Sequence, residues 1–337
     1  MYEYIKKNVA QYKANLHCHS TRSDGKLSPS ELKKIYKEQG YSVLAITDHE
    51  VPYDYSEMSE NDFLMITGYE AYIRPAPVYD LYRPEVHINL FAKEPHNIKY
   101  INFNEEFCKY LPQAEKDKLC KVGSQERRRY DADYINSFIK TAKENGYICA
   151  HNHPVWSLEH LEQMMEYDGF FSMEICNYGS YLSNRIEYNA HLYDIMLRAG
   201  KHLFVHSADD NHNAAPLDSP ASDSFGAFTM ILSRELSYQS VIEALERGDF
   251  YSSMGPLIKE LVFDGNKVHI ETSPVRQITM HDGGKRTAKV IGDEENPVTS
   301  ADFIIPDAAK YVRLSAFDFR GGSADTRGFF RDEFEKF

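Results

Sequence analysis

Apolar positions in this chain recur at two spacings. Between residues 28 and 40 they fall at Leu32, Ile35 and Tyr36, the spacing of one helical face. Ser28-Pro29-Ser30-Glu31 just before them has the form of a capping box with proline at the first helical position. Gly40 stands where a helix C-terminus takes glycine. Val43-Leu44-Ala45-Ile46-Thr47 is then an unbroken apolar run, the pattern of a strand buried on both faces. After a first short strand near 13–16, the two patterns alternate. Strands are expected over 63–67, 85–91, 147–150, 170–175, 202–205 and 227–232. Helices are expected over 131–145, from 157 through Met165, over 184–198 and over 240–247. Alternation of this kind predicts an α/β fold of parallel βα units, with the C-terminal ends of the strands gathered on one face if the sheet closes. Residues 102–129 are polar and irregular and read as an insertion over that face.

From about Pro256 the pattern changes. Lys259–Phe263 and Lys267–Thr272 flank Asp264-Gly265-Asn266, which reads as a hairpin on an Asp-Gly turn. Tyr311–Phe317 alternates and Arg320-Gly321-Gly322 reads as a turn. The expected division is a barrel over 1–255 and a small all-β appendage over 256–337.

Composition narrows the function. Of 337 residues, 42% are hydrophobic and 26% charged, as in ordinary globular proteins. An excess of 51 acidic over 38 basic residues gives a net charge of −13, which argues against gripping duplex nucleic acid through a basic surface. No apolar run reaches membrane-spanning length and the polar N-terminus has no signal-peptide core. Five scattered cysteines without C-x-x-C spacing do not suggest a disulfide framework. A reducing cytoplasm is the expected location.

The candidate chemistry lies where predicted strands end. His17 and His19 are one residue apart on an extended segment, so they project to one side, and Asp24 follows on the next loop. Asp48-His49 ends the second strand and Glu70 follows the third. His87 lies inside the fourth strand, His151-Asn152-His153-Pro154 ends the fifth, and Asp210-Asn211-His212 follows the seventh. Imidazole and carboxylate are ligands for divalent transition metals. Nine such ligands, His17, His19, Asp24, His49, Glu70, His87, His153, Asp210 and His212, exceed the needs of one ion and suit two or three.

In order, His17-Cys18-His19 with Ser23-Asp24-Gly25, Ala45-Ile46-Thr47-Asp48-His49, Gly68-Tyr69-Glu70, His87, Asn152-His153-Pro154 and Asp210-Asn211-His212 resemble the motifs of the polymerase and histidinol phosphatase (PHP) family of metal-dependent phosphoesterases. The resemblance spans residues 15 to 212. It implies a distorted (β/α)7 TIM-like barrel with a trinuclear site. It further implies that His17, His19, Glu70 and Asp210 hold one ion and that Asp24, His49 and His212 hold a second. Glu70 would bridge to a third, held also by His87 and His153. Either His151 or His153 could be the ligand; His153, which precedes the proline, is assigned that role and His151 a substrate contact. The segment after Gly255 resembles the β module that follows some stand-alone members.

Such a site allows hydrolysis of a phosphate ester by a hydroxide bridging Mn, Fe or Zn ions. The substrate would be a small metabolite, a nucleotide or an oligonucleotide end. Arg22 and Arg185 are candidate phosphate clamps, since guanidinium binds phosphate bidentately. Glu174 and Asn177 are candidates for contacts to ligands or substrate. Arg127-Arg128-Arg129 either steers an anion or forms a solvated face. Two other classes compete: an amidohydrolase-type C–N hydrolase, for which no strand-end lysine offers itself, and a non-catalytic metal-stabilised scaffold.

Overall fold

A computed structural model describes residues 1–7, 9–75 and 80–334. The helix Pro29–Glu38 forms as its sequence dictates. The Ser28 hydroxyl accepts the Glu31 N–H, while the Glu31 carboxylate accepts the Ser28 N–H at 2.8 Å. Leu32 and Tyr36 are its buried residues. Asp131 caps Ala132–Glu144 through the Tyr134 N–H at 2.8 Å, and that helix buries Ile135, Phe138, Ile139 and Ala142. The helix expected from 157 is a single turn at Leu161–Met164. The one expected over 184–198 is two helices, Tyr178–Asn184 and Ala190–Arg198. No described helix is long and apolar enough to cross a membrane.

Strands hold 33% of the chain against 19% in helix, more sheet than a regular βα repeat predicts. Gln11–Asn15, Val43–Ala45 and Leu64–Ile66 pair in parallel. Gly68–Ile73 and Val86–Ala92 then pair antiparallel, and the latter pairs antiparallel with Tyr147–Asn152. Ser172–Asn177 and Phe204–Ala208 extend that sheet in parallel. Phe228–Leu232 joins Gln11–Asn15 antiparallel. The expected closed (β/α)7 barrel is not found among the described residues. The physical reason is local. A parallel partner needs a crossover of a dozen residues or more, usually helical, and no described helix lies between Gly68 and Ala92.

The two sheets meet at the ends of their strands through isolated bridges between Cys18 and Asn211 and between His49 and Glu70. Helices pack on the outside. Ile135, Phe138 and Ile139, for example, share a buried cluster with Tyr147, Cys149 and Met173.

After residue 255 the expected hairpin is present, Ile258–Asp264 against Lys267–Val275, with Gly265 at φ +59° in the turn. Its first strand also pairs with Tyr2–Ile5 at the N-terminus. Ser323–Thr326 pairs with Phe250–Ser253, so these late strands continue the sheet that contains Gln11–Asn15. Buried Arg313 reinforces the junction, with Nη2 2.7 Å from Asp194 on helix Ala190–Arg198 and Nη1 3.1 Å from Asp325. Residues 335–337 of the expected appendage lie outside the described residues.

Candidate metal centre

The first strand delivers its histidines by pairing beyond its regular end. Asp210 N–H donates to His17 C=O at 2.9 Å and His19 N–H to Asn211 C=O at 3.1 Å. This draws the 209–212 segment alongside the H-x-H pair. Asp48 fixes the intervening loop, its carboxylate accepting the Ser20 N–H (2.7 Å), the Ser20 hydroxyl (2.6 Å) and the Ser23 hydroxyl (2.6 Å). Asp24 is thereby held over the histidines. Glu70 N–H donates to Thr47 C=O at 3.2 Å, which sets Glu70 beside His49. In the register of the neighbouring sheet His87 pairs with Asn152.

All nine sequence-predicted ligands come together, around the buried Glu70 and the partly buried Asp210. Glu70 has His49 Nδ1 at 2.8 Å, His87 Nδ1 at 3.1 Å, His17 Nε2 at 3.3 Å and His153 Nε2 at 3.4 Å. Asp210 has His19 Nε2 at 2.9 Å, His17 Nε2 at 3.2 Å and His153 Nε2 at 3.8 Å. Asp24 lies further out, 3.5 Å from His212 Nε2 and 3.7 Å from His49 Nε2. Four groupings have ligand atoms within 4.8 Å of one another: His19-Asp24-His49-His212, His17-His19-Glu70, His17-His153-Asp210 and His49-Glu70-His87. A fifth, Glu260-His269-Glu271, lies away from this centre on partly exposed strands. Its charge is already met by Lys7, whose Nζ is 2.7 Å from Glu271.

The donor set fits divalent cations. Buried polar atoms normally find hydrogen-bond partners. Here His19 Nδ1, His49 Nδ1, His87 Nε2, Glu70 Oε2 and Asp210 Oδ1 make no aligned hydrogen bond, although rings and carboxylates approach as closely as 2.8 Å. Burial pushes the carboxyls of Glu70 and Asp210 up, yet the surrounding histidines hold both well below the carboxylate range. Burial lowers His87, but Glu70 and Glu85 raise it to about 10. His19 goes the other way, to about 4, through burial and its neighbours His49 and His212. Buried carboxylates that stay ionised require positive charge beside them.

Outside the ligands, Glu174 Oε1 lies 2.8 Å from His17 Nδ1. Its Oε2 accepts the His153 N–H at 2.8 Å and an Asn177 amide N–H at 2.9 Å. Asn177 also donates to Asp210 Oδ2 at 3.1 Å, so both of these sequence candidates touch candidate ligands. His151 does not reach the centre. Its ring stacks on Phe170 at 4.9 Å with Nε2 2.6 Å from Glu159, on the opposite side of its strand. The inward position belongs to Asn152, which sequence reasoning missed and whose amide donates to Glu70 at 2.7 Å. His153 comes back inward because the chain turns there, at φ +23°.

Neither expected arginine clamp is in place. The Arg22 guanidinium lies over the Tyr53 ring at 3.8 Å and 2.9 Å from Glu115. Arg185 ends its helix in the left-handed region with its guanidinium 5.0 Å from the Tyr181 ring. The cations lining the cleft of about 360 Å³ beside the ligands are instead Arg74 and Lys109, with Tyr72, Tyr110 and Trp156. Lys109 was hidden in the irregular insertion. Arg74, directly after the strand Gly68–Ile73, could have been found by the strand-end rule that found Glu70. In the Arg127-Arg128-Arg129 run, only the flanking residues are exposed. Arg128 is 1% exposed and paired with Glu50, so this residue neither steers an anion nor lies on a solvated face.

Comparison with known proteins adds the following. The PHP domain family profile matches residues 15–179. The chain is 58% identical over 38 residues to a 5'-3' exoribonuclease of Haemophilus influenzae, a match covering 11% of this chain and 14% of that protein. A two-domain protein of Bacteroides vulgatus containing a predicted PHP-like metal-dependent phosphoesterase is similar at a TM-score of 0.48, with 14% identity over 96% of this chain and 98% of its own. A protein of Bifidobacterium adolescentis, proposed as a metal-dependent phosphoesterase, is similar at 0.38, with 16% identity over 60% and 89%.

Proposed function

Residues 15–179 belong to the PHP domain family, and from that premise we propose that the chain is a metal-dependent phosphoesterase. Its substrate is a phosphate ester of a small metabolite, a nucleotide or an oligonucleotide end. The observation that carries this reading is the convergence of five histidines on Glu70 and Asp210, with Asp24 and His212 completing the group, beside one cleft. His17, His19, Glu70 and Asp210 would hold one divalent ion, Asp24, His49 and His212 a second, and Glu70 with His87 and His153 a third. Mn, Fe and Zn all suit this mixed donor set. Bound there, the ions would supply a low-pKa water and neutralise phosphoryl charge.

The chain's own groups do the positioning. Glu174 orients the His17 ring and the His153 backbone together, and a carboxylate behind a ligating histidine fixes its tautomer and raises its basicity. Asn152 and Asn177 donate to Glu70 and Asp210, which keeps each carboxylate aimed inward. Tyr72 and Trp156 form the apolar part of the cleft wall and limit water around the scissile group. The segment from 256 onward contributes none of the nine ligands and is read as an appendage.

The test is hydrolysis of p-nitrophenyl phosphate and bis-p-nitrophenyl phosphate by protein stripped with chelator and reloaded with Mn, Fe or Zn. Turnover that appears only on reloading, with two or three ions per chain by elemental analysis, supports the reading. No turnover with any metal refutes it.

A further inference from the structure

The insertion over 102–129 is fixed to the metal centre from beneath. Arg128 is buried and donates to both carboxylate oxygens of Glu50, with Nη2 2.9 Å from Oε2, and to the Tyr72 C=O at 2.6 Å. Glu50 directly follows His49, and its N–H donates to the Glu70 C=O at 2.7 Å. The Tyr72 hydroxyl donates to the Phe107 C=O at 2.9 Å. Whatever the insertion carries near Phe107 therefore has a set position relative to His49 and Glu70.

It carries Lys109 and Tyr110, both on the wall of the cleft. The Tyr110 ring lies parallel to that of His49 at 6.4 Å, and its hydroxyl is 3.4 Å from Asp24 Oδ2. Lys109 is exposed. Among the described residues no carboxylate forms an ion pair with its ammonium, whereas the other cleft cation, Arg74, has Glu85 at 2.8 Å. Divalent ions on the nine candidate ligands would already supply positive charge for the group that is cleaved. An ammonium on the wall of the same cleft, two residues from the Phe107 carbonyl held by Tyr72 and lacking a carboxylate of its own, is surplus to that need.

We infer that Lys109 binds a second anionic group of the substrate, a phosphate or a carboxylate other than the ester being hydrolysed. This rests on the phosphoesterase reading and adds a specificity-determining residue to it. Lysine offers a flexible point charge rather than a planar fork, so it accepts either anion. A charged hydrogen bond of this kind contributes roughly tenfold or more to affinity.

The test compares glycerol 3-phosphate with 3-phosphoglycerate and 2,3-bisphosphoglycerate, which add a carboxylate alone and a carboxylate with a second phosphate. Binding is read from the fluorescence of Trp156, the single tryptophan of the chain and itself on the cleft wall. Turnover is read from phosphate release. The wild-type protein is expected to prefer at least one of these two more anionic probes over glycerol 3-phosphate about tenfold or more, and preference for 3-phosphoglycerate marks a carboxylate, preference for 2,3-bisphosphoglycerate alone a phosphate. In Lys109→Ala the preference falls toward 1 through a rise in Kd and KM, and Lys109→Arg largely restores it. Lys118→Ala, an exposed lysine of the same insertion off the cleft, keeps the wild-type ratio. A wild-type protein without preference, or a Lys109→Ala ratio within twofold of wild type, overturns the inference. Absence of phosphate release from every probe, p-nitrophenyl phosphate included, would instead remove the phosphoesterase reading, and the Trp156 titration would still report whether Lys109 selects ligands with an additional anionic group.

Discussion

Glu174 Oε1 lies 2.8 Å from His17 Nδ1, which leaves Nε2 of that ring facing both Glu70 and Asp210. The other Glu174 oxygen takes the His153 N–H, so one side chain sets two candidate ligands from different strands. Glu174→Gln keeps the shape but removes the anion behind His17. We expect metal affinity to fall about 10- to 100-fold with the fold intact. Titration of stripped protein with Mn, alongside circular dichroism, measures this. Wild-type affinity in the variant would show that the contact does not tune the centre.

His151 and His153 separate by what each touches. His153→Ala is expected to lose about one ion per chain. His151→Ala should keep every ion and instead lose stability, about 1–3 kcal/mol, because Glu159 is left buried without that partner. Elemental analysis and urea unfolding of both variants decide. Metal loss in His151→Ala, with His153→Ala unaffected, would reverse the assignment.

Binding of the ions should release protons. Burial lowers His17 and His87, but the adjoining carboxylates raise both above the ordinary histidine range, His87 to about 10. Stripped protein at pH 7 therefore holds protons on these rings, and a cation must displace them. Affinity then rises with pH, about tenfold per unit for each proton released. Calorimetric titration with Mn in two buffers of different ionisation enthalpy tests this at pH 7. Identical heats in the two buffers would contradict it.

The Glu50–Arg128 pair is fully buried. Removing one partner strands a charge, so Arg128→Ala should destabilise the protein by about 3–5 kcal/mol. Glu50→Gln/Arg128→Met, which removes both charges, should lose less than Arg128→Ala alone. Chemical denaturation of the two variants checks the order. A double variant less stable than the single one would mean that the pair is not where the energy lies.

The cluster of candidate ligands was legible in the sequence because each member's place at a strand end is a local property. Strand alternation puts His17 and His19 on one side, and apolar runs that stop at Asp48-His49, near Glu70 and before Asp210 mark strand ends. The capping box at Ser28 and Glu31 is equally local. What failed was everything settled by a distant partner or by one dihedral angle. Period two puts His151 and His153 on the same side, but the φ of +23° at His153 breaks the period, so Asn152 faces in and His151 faces Glu159. Nothing in the Arg127-Arg128-Arg129 run distinguishes its middle residue; a buried carboxylate at Glu50, 78 positions away, does. Strand spacing does not encode direction, so the antiparallel pairing of Gly68–Ile73 with Val86–Ala92 and the joining of Ser323–Thr326 to Phe250–Ser253 emerged only when the chain packed. By itself the sequence determined which imidazole and carboxylate groups stand where the strands end. The tertiary structure decided which cations line the cleft, because long-range ion pairs carry Arg22 away to Glu115 and anchor the insertion that brings Lys109 in.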